Sequence, residues 1–135
     1  MARLVLILLM FGLASAAQSK PPEPPEPPEE DATLTEEKTY TFNPIEANKH
    51  FKIGNFYFKK GSYKAAALRY REATRWNPMM MEAYLKLGES YERLKDQKQA
   101  RETYAKFLEL APDAKEAGSI RRKLAELERS ESRQP

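Results

Sequence analysis

The sequence predicts an all-α protein built as a stack of antiparallel helix pairs. Residues 43–113 contain a pattern that repeats every 34 residues, and the apolar residues within each repeat follow helical spacing. A regular period that carries helical patterning is typical of stacked-repeat proteins. The matched pairs are Gly54 and Gly88, Tyr57 and Tyr91, Ala66 and Ala100, Tyr70 and Tyr104, and Pro78 and Pro112.

Residues 1–17 have the pattern of a secretory signal peptide. Arg3 precedes an apolar run over residues 4–13, and small residues follow, so that cleavage after either Ala16 or Ala17 satisfies signal peptidase. The pattern therefore predicts export to the periplasm or secretion. The alternative is an uncleaved anchor, which would associate the protein with a membrane. The chain has no cysteine, so a lipoprotein-type attachment is excluded.

Residues 18–42 are interpreted as a disordered linker rich in proline and glutamate. Six prolines fall within residues 21–28, which favours an extended and semi-rigid spacer over a ligand of proline-binding domains. Residues 18–38 contain seven acids and two lysines, a net charge of −5, whereas residues 39–135 have a net charge of +7. The basic excess indicates either attraction of an acidic partner or an ordinary solvated helical surface.

Helix-capping residues and breakers divide the rest of the chain into five helices. The folded domain is predicted over residues 43–129, followed by a disordered tail over residues 130–135. The first four helices are predicted from Pro44 to Lys60, from Ser62 to Trp76, from Met79 to Leu94 and from Asp96 to Leu110. The fifth is predicted over residues 113–129, with Asp113 and Glu116 as a capping box, in the way that Asn43 with Glu46 and Asp96 with Gln99 open the first and fourth.

The residues at these positions resemble the motif of the tetratricopeptide repeat family. With one unit at residues 47–80 and the next at 81–114, the glycine, tyrosine, alanine, aromatic and proline positions of the family are all occupied. The resemblance implies a right-handed superhelical stack of two units plus a C-terminal capping helix. It also implies a non-enzymatic scaffold, of the kind found among small exported bacterial proteins. His50 and Ala73 depart from the family pattern, whereas Tyr84 and Phe107 stand at the matching places of the second unit.

The two ends of the stack are expected to differ. The fifth helix has one apolar stripe that covers the last repeat, formed by Ala117, Ile120, Leu124 and Leu127. No comparable helix precedes the first repeat, so its cover is either residues 40–42 or another subunit. Within each unit, Gly54 and Gly88 are expected to let the helices approach closely where Ala66 and Ala100 face them.

The resemblance also implies a concave groove lined by the first helix of each unit. Asparagine donors, lysines and apolar side chains in such a groove suit an extended or helical peptide. The predicted partner-binding residues are Asn48, Phe51, Lys52, Asn55, Lys59, Glu82, Leu85, Lys86, Glu89 and Arg93. Phe58 and Glu92 occupy further groove positions, although Phe58 is also interpretable as a core residue near Gly61. Asn55 alone matches the family's clamp for a C-terminal carboxylate.

Catalysis, a metal site and a cofactor are not predicted. His50 is the one histidine and is interpreted as structural, and no nucleophile or second metal ligand stands at a useful spacing. The methionines at residues 79–81 are interpreted as adaptable packing in preference to a thioether copper site. Nucleic-acid binding is not expected. Two functions remain: an envelope adaptor that binds a protein or peptide in the groove, or a structural module that associates with itself.

Overall fold

The computed structural model describes residues 39–134 and shows five α-helices and no strand within that range. The predicted signal peptide and residues 18–38 of the predicted linker lie outside it, as does Pro135. None of the described helices is both long enough and apolar enough to cross a membrane. The helices are α1 (Pro44–Lys59), α2 (Tyr63–Trp76), α3 (Met81–Arg93), α4 (Gln97–Leu110) and α5 (Ala117–Ser132).

The helices form two antiparallel hairpins in sequence, followed by a covering helix. Helix α2 packs between α1 and α3, and α5 packs on α4. One apolar cluster centres on Tyr57 and Tyr70 in the first hairpin, and a second centres on Tyr104 and Phe107 in the second hairpin. Tyr91 packs against both clusters and so connects them. The predicted all-helical stack is confirmed.

Two of the predicted N-caps make their hydrogen bonds. The Asn43 carboxamide oxygen accepts from the backbone amides of Ile45 and Glu46, each at 3.1 Å. The Asp96 carboxylate accepts from the amide of Gln99 at 3.1 Å. Each side chain satisfies amides that the first turn of a helix leaves without a backbone partner, which fixes where α1 and α4 begin.

The turns inside the two hairpins are equivalent in backbone geometry. Gly61 has φ of 78°, and Lys95, at the equivalent place in the second hairpin, has φ of 61°. In both turns the amide of the next residue donates to a carbonyl near the helix end, from Ser62 to Tyr57 and from Asp96 to Tyr91, at 3.0 Å each. The left-handed conformation is ordinary for glycine but unfavourable for lysine.

Two helix starts differ from the prediction. Ser62 precedes α2 as expected, but its side chain makes no capping hydrogen bond. Helix α3 begins at Met81 instead of Met79, because Asn77 forms a turn of its own. Its side-chain oxygen accepts from the Met79 amide at 3.0 Å, and its carbonyl accepts from Met80 at 3.1 Å. These bonds hold residues 78–80 in a turn that precedes α3.

The predicted bounds of the fifth helix were wrong at both ends. The capping box of Asp113 and Glu116 does not form, and Glu116 is itself the N-cap, with a helical backbone and no side-chain bond. Two successive turns lead into α5. The backbone amide of Ala114 donates to the carbonyl of Ala111, and the amide of Ala117 donates to the carbonyl of Ala114. At the other end, residues 130–132 are helical because α4 holds them, through the Arg101–Glu131 ion pair and a hydrogen bond from Ser130 to Gln97.

In each hairpin, a tyrosine ring of the second helix packs directly on a glycine of the first and sets the distance between the two helices. A Cβ atom built on Gly54 would stand 2.6 Å from Cε1 of Tyr70, and one on Gly88 would stand 2.5 Å from Cε1 of Tyr104. Both rings are fully buried. The glycines therefore make room for a ring, whereas the sequence suggested that they made room for Ala66 and Ala100.

Exchanging the two turn residues tests the effect of the left-handed conformation. We expect Lys95→Gly to raise the free energy of unfolding by about 1 kcal/mol, since a residue with a side chain is strained there. Gly61→Lys should lower it by a similar amount. Urea unfolding of both variants measures this. Changes of the same sign in the two variants would contradict the explanation.

Gly54→Ala tests the ring contact. Overpacking costs roughly 1–3 kcal/mol and the gain in helix propensity offsets roughly 1, so we expect a net loss of stability of up to about 2 kcal/mol. Gly118→Ala is the matched control, because no atom lies within 4 Å of a Cβ at that position of α5. The control should be neutral or stabilising by thermal and urea unfolding. Equal stabilisation by both changes would refute the steric argument.

Candidate binding groove

Helices α1 and α3 present the predicted site residues, which fall into two groups by exposure. The first group is exposed and comprises Asn48, Lys52, Lys59, Glu82 and Arg93. The second group is partly buried and comprises Phe51, Asn55, Leu85, Lys86 and Glu89. The partly buried group makes contacts within the domain, so its members shape the surface that a ligand would meet.

Aromatic rings form the base of the groove on the side of the first hairpin. Phe51 lies 5.6 Å from Tyr70 between ring centroids, and Phe58 lies 6.5 Å from the same tyrosine. Phe58 also packs edge-on against Tyr63 at 5.2 Å. Phe58 therefore joins the core beside the α1–α2 turn, as one of its two interpretations held, and its partly exposed ring also borders the groove.

Two cations of α3 lie over these rings. The Lys86 ammonium is 5.0 Å from the Phe58 centroid, and the Arg93 guanidinium is 5.4 Å from that of Tyr63. Attraction between a cation and an aromatic face favours both contacts, which connect α3 to the first hairpin. Lys86 also pairs with Glu89 at 2.8 Å, so its charge is already partly balanced. Tyr63 was missing from the predicted site, because spacing along the first helices gives no signal for it.

Asn55 has a fixed orientation in the groove. The Tyr70 hydroxyl donates to its Oδ1 at 2.7 Å, which leaves the amide nitrogen as the group available to a ligand. Burial raises the pKa of Tyr70 far above its usual value, and the negative charge of Glu89 adds to this. The hydroxyl accordingly remains a donor, and Asn55 offers hydrogen-bond donors to a carbonyl or carboxylate.

The second repeat uses its tyrosine differently. The Tyr104 hydroxyl donates to Oε2 of Glu92, and the Lys123 ammonium of α5 approaches the same oxygen at 2.7 Å. Burial raises the pKa of Tyr104 most, followed by the hydrogen bond to Glu92. Glu92 is thus held by two partners. Lys123 was missing from the prediction, since α5 was expected only to cover the stack.

Lys52 and Lys59 are the groove cations that remain available. Both are exposed, and neither forms an ion pair with any residue of the described range. They extend from α1 on the helix that also supplies Phe51, Asn55 and Phe58. Among the described residues, the aromatic side of the groove therefore has two lysines without an ion pair, whereas on the α3 side Lys86 and Glu92 are paired.

Other surfaces of the described residues offer less. A cavity of about 160 Å³ lies between α4 and the end of α5, where Arg101 and Glu131 pair across it, and it includes none of the predicted site residues. No group of three acidic or histidine side chains is placed to hold a metal within residues 39–134. His50 contacts Arg69 at 3.4 Å between Nδ1 and Nη1.

Comparison with known families gives two matches. A family model described as TPR repeat matches residues 54–95, and one described as Tetratricopeptide repeat matches residues 82–114. No curated protein matches the chain. The matched residues include part of α1, all of α2 to α4 and the glycines and prolines that recur in the two units.

The two buried tyrosines predict a loss of stability at alkaline pH. Because folding raises their pKa, their contribution is complete below about pH 10 and declines as the pH rises further. Each ionising tyrosine adds a slope of roughly 1.4 kcal/mol per pH unit. Tyr104→Phe keeps the ring on Gly88 and should remove the part of this slope that Tyr104 contributes. Guanidinium unfolding between about pH 8 and 11 measures it, and an unchanged slope would contradict the assignment.

Proposed function

The chain is a tetratricopeptide repeat protein, and we propose that it binds an acidic peptide segment of a partner protein in the groove between α1 and α3. Repeats of this family generally mediate protein–protein interaction, and proteins built from them are typically non-enzymatic scaffolds. The observation that supports the proposal is the combination of Lys52 and Lys59, which form no ion pair within residues 39–134, with a partly exposed aromatic base.

The chemistry of the groove defines the segment that fits. An apolar side chain of the ligand packs on Phe51 and Phe58, where apolar area is available for burial. The Asn55 amide donates to a backbone carbonyl of the ligand, since its oxygen is already bonded to Tyr70. Carboxylates of the ligand pair with Lys52 and Lys59. An extended segment with one apolar residue between acidic residues satisfies all three.

Self-association through the first hairpin is the second function that the sequence suggested. Residues 44–76 contain eight basic and two acidic residues, a net charge of +6, whereas residues 81–110 are neutral. Two copies that met through their first hairpins would bring like charges together at short range, which opposes association. The same charge distribution favours an acidic partner.

We also propose that the protein acts outside the cytoplasm, in the cell envelope. The signal-like pattern of residues 1–17 supports this. The intact mass of the protein recovered from the producing cell tests it. A mature chain that begins directly after Ala16 or Ala17 is the expected result, and a retained N-terminus would favour the anchored form.

Lys52→Glu combined with Lys59→Glu tests the groove. Peptides selected from a random library on the unmodified protein should be enriched in acidic residues. Their affinity for the double variant, measured by calorimetry, should fall at least about tenfold, because two close charge pairs become repulsive.

The matched control is Lys64→Glu combined with Lys98→Glu. These lysines are exposed at equivalent places on α2 and α4, and the control changes the net charge by the same amount. It should keep the affinity within about twofold. If both double variants lose the peptides equally, attraction to the whole surface explains binding and the groove proposal fails.

A further inference from the structure

The first hairpin has a face that no described helix covers. In the second hairpin, Leu87 and Ser90 of α3 are buried, at 5% and 0% exposed, where α3 packs against α2. Their equivalents in the first hairpin, Ile53 and Phe56, are only partly buried. We call this the open face; it is formed by His50, Ile53 and Phe56 of α1 and by Arg69 and Glu72 of α2.

The assignment of Arg69 and Glu72 to this face follows from helix geometry. Tyr63 and Tyr70 of α2 face α3, through the Arg93 contact and the shared apolar cluster with Leu87. Arg69, Glu72 and Trp76 recur at the spacing of one helical face and lie about a third to a half of a helix turn away from that side. They therefore face away from α3.

The chain that precedes α1 is already attached to this face. The Tyr40 ring packs edge-on against Trp76 at 5.1 Å, and its hydroxyl contacts both carboxylate oxygens of Glu72 at 2.8 and 3.0 Å. Arg75 lies 5.4 Å from the centre of the same ring, and the Asn43 amide donates to the Trp76 carbonyl at 2.9 Å. Tyr40, which follows residues 32–38 in the sequence, therefore lies where the C-terminal end of α2 borders the open face.

Charge and an unsatisfied donor favour an acidic occupant. The first hairpin has a net charge of +6, and residues 18–38 have a net charge of −5. Arg69 is only partly buried on this face, no carboxylate of the described residues pairs with its guanidinium, and its Nε has no hydrogen-bond partner among them. Glu36 and Glu37 precede Tyr40 closely in the sequence.

The length of the segment fits as well. Helix α2 has 14 residues and is about 21 Å long. The extended chain from Ala32 to Tyr40 spans at most about 26 Å. The segment is therefore long enough to run from Trp76 to the α1–α2 turn, passing Arg69 midway along α2.

We propose that residues 32–38 lie across the open face of their own chain, with Glu36 or Glu37 paired with Arg69. The acidic segment takes the place that the second helix of a preceding repeat would occupy. It closes the N-terminal end of the stack as α5 closes the other end. The groove of α1 and α3 stays free for a partner, so this role is independent of peptide binding.

The absence of cysteine from the chain permits a direct test. Ala32→Cys with a nitroxide label is introduced into the chain from Gln18 onward, which keeps every residue that the fold uses. The probe is paramagnetic attenuation of backbone amide signals in NMR spectra. We expect the Phe56 and Ala65 signals to lose more than half their intensity and those of Lys86 and Leu124 to remain.

Two variants separate the proposed contact from general attraction. Glu36→Gln combined with Glu37→Gln should restore the Phe56 and Ala65 signals, and so should added salt at about 0.5 M, since screening weakens an exposed charge pair. Glu23→Gln combined with Glu26→Gln changes the charge equally outside the proposed segment and should leave the attenuation in place. Equal effects of the two double variants would overturn the pairing with Arg69.

Three other outcomes would also overturn the proposal. Attenuation at Lys86 and Leu85 would mean that the segment occupies the groove. Attenuation of an unlabelled chain mixed with the spin-labelled one would mean that a second copy supplies the segment. Weak and uniform attenuation throughout the domain would mean that the open face has no occupant from this chain.

Discussion

The contact of a buried tyrosine ring with a helix glycine determines the spacing of each hairpin. Gly54 brings α1 within van der Waals reach of Tyr70, and Gly88 does the same for α3 and Tyr104. A residue with any side chain at either glycine would push the two helices apart. The contact has a second effect, since a ring held this close directs its hydroxyl towards the first helix. Core packing and groove chemistry therefore depend on the same two residue pairs.

The equivalent tyrosines of the two repeats donate hydrogen bonds to different polar groups. Tyr70 donates to the neutral carboxamide of Asn55. Tyr104 donates to the carboxylate of Glu92, which Lys123 of α5 also contacts. The two hairpins share the geometry of their turns and their tyrosine–glycine contacts, while the electrostatics of their surfaces differ. The α1 side of the groove consequently has two lysines without an ion pair among the described residues, whereas on the α3 side Lys86 pairs with Glu89 and Glu92 with Lys123.

The sequence was sufficient for the features that depend on local chemistry. Asn43, Asp96 and Gly61 act within one helical turn, so their roles follow from the residue types. Asp113 satisfies the same local rule and yet does not cap α5, because the chain needs a series of turns to bring that helix onto α4. Residues 130–132 likewise became helical through contacts with α4 that no local pattern contains.

The sequence predicts which residues line a groove, but it does not predict which of their charges are engaged within the domain. Spacing identified Lys52 and Lys86 as equivalent, but only tertiary contacts separate a free lysine from one that is paired with Glu89 and lies over Phe58. Tyr63 and Lys123 come from other helices, so periodicity within α1 and α3 gave no indication of them. The ten predicted residues remain a prediction of ligand contact.

The small number of repeats limits the length of peptide that the groove could contact, and therefore its sequence selectivity. Two neighbouring helices give a surface roughly 20 Å wide, which an extended peptide crosses in about six residues. A groove that contacts only about six peptide residues would distinguish poorly between similar peptide sequences. Selectivity for one partner would then depend on the local concentration at which the two proteins meet.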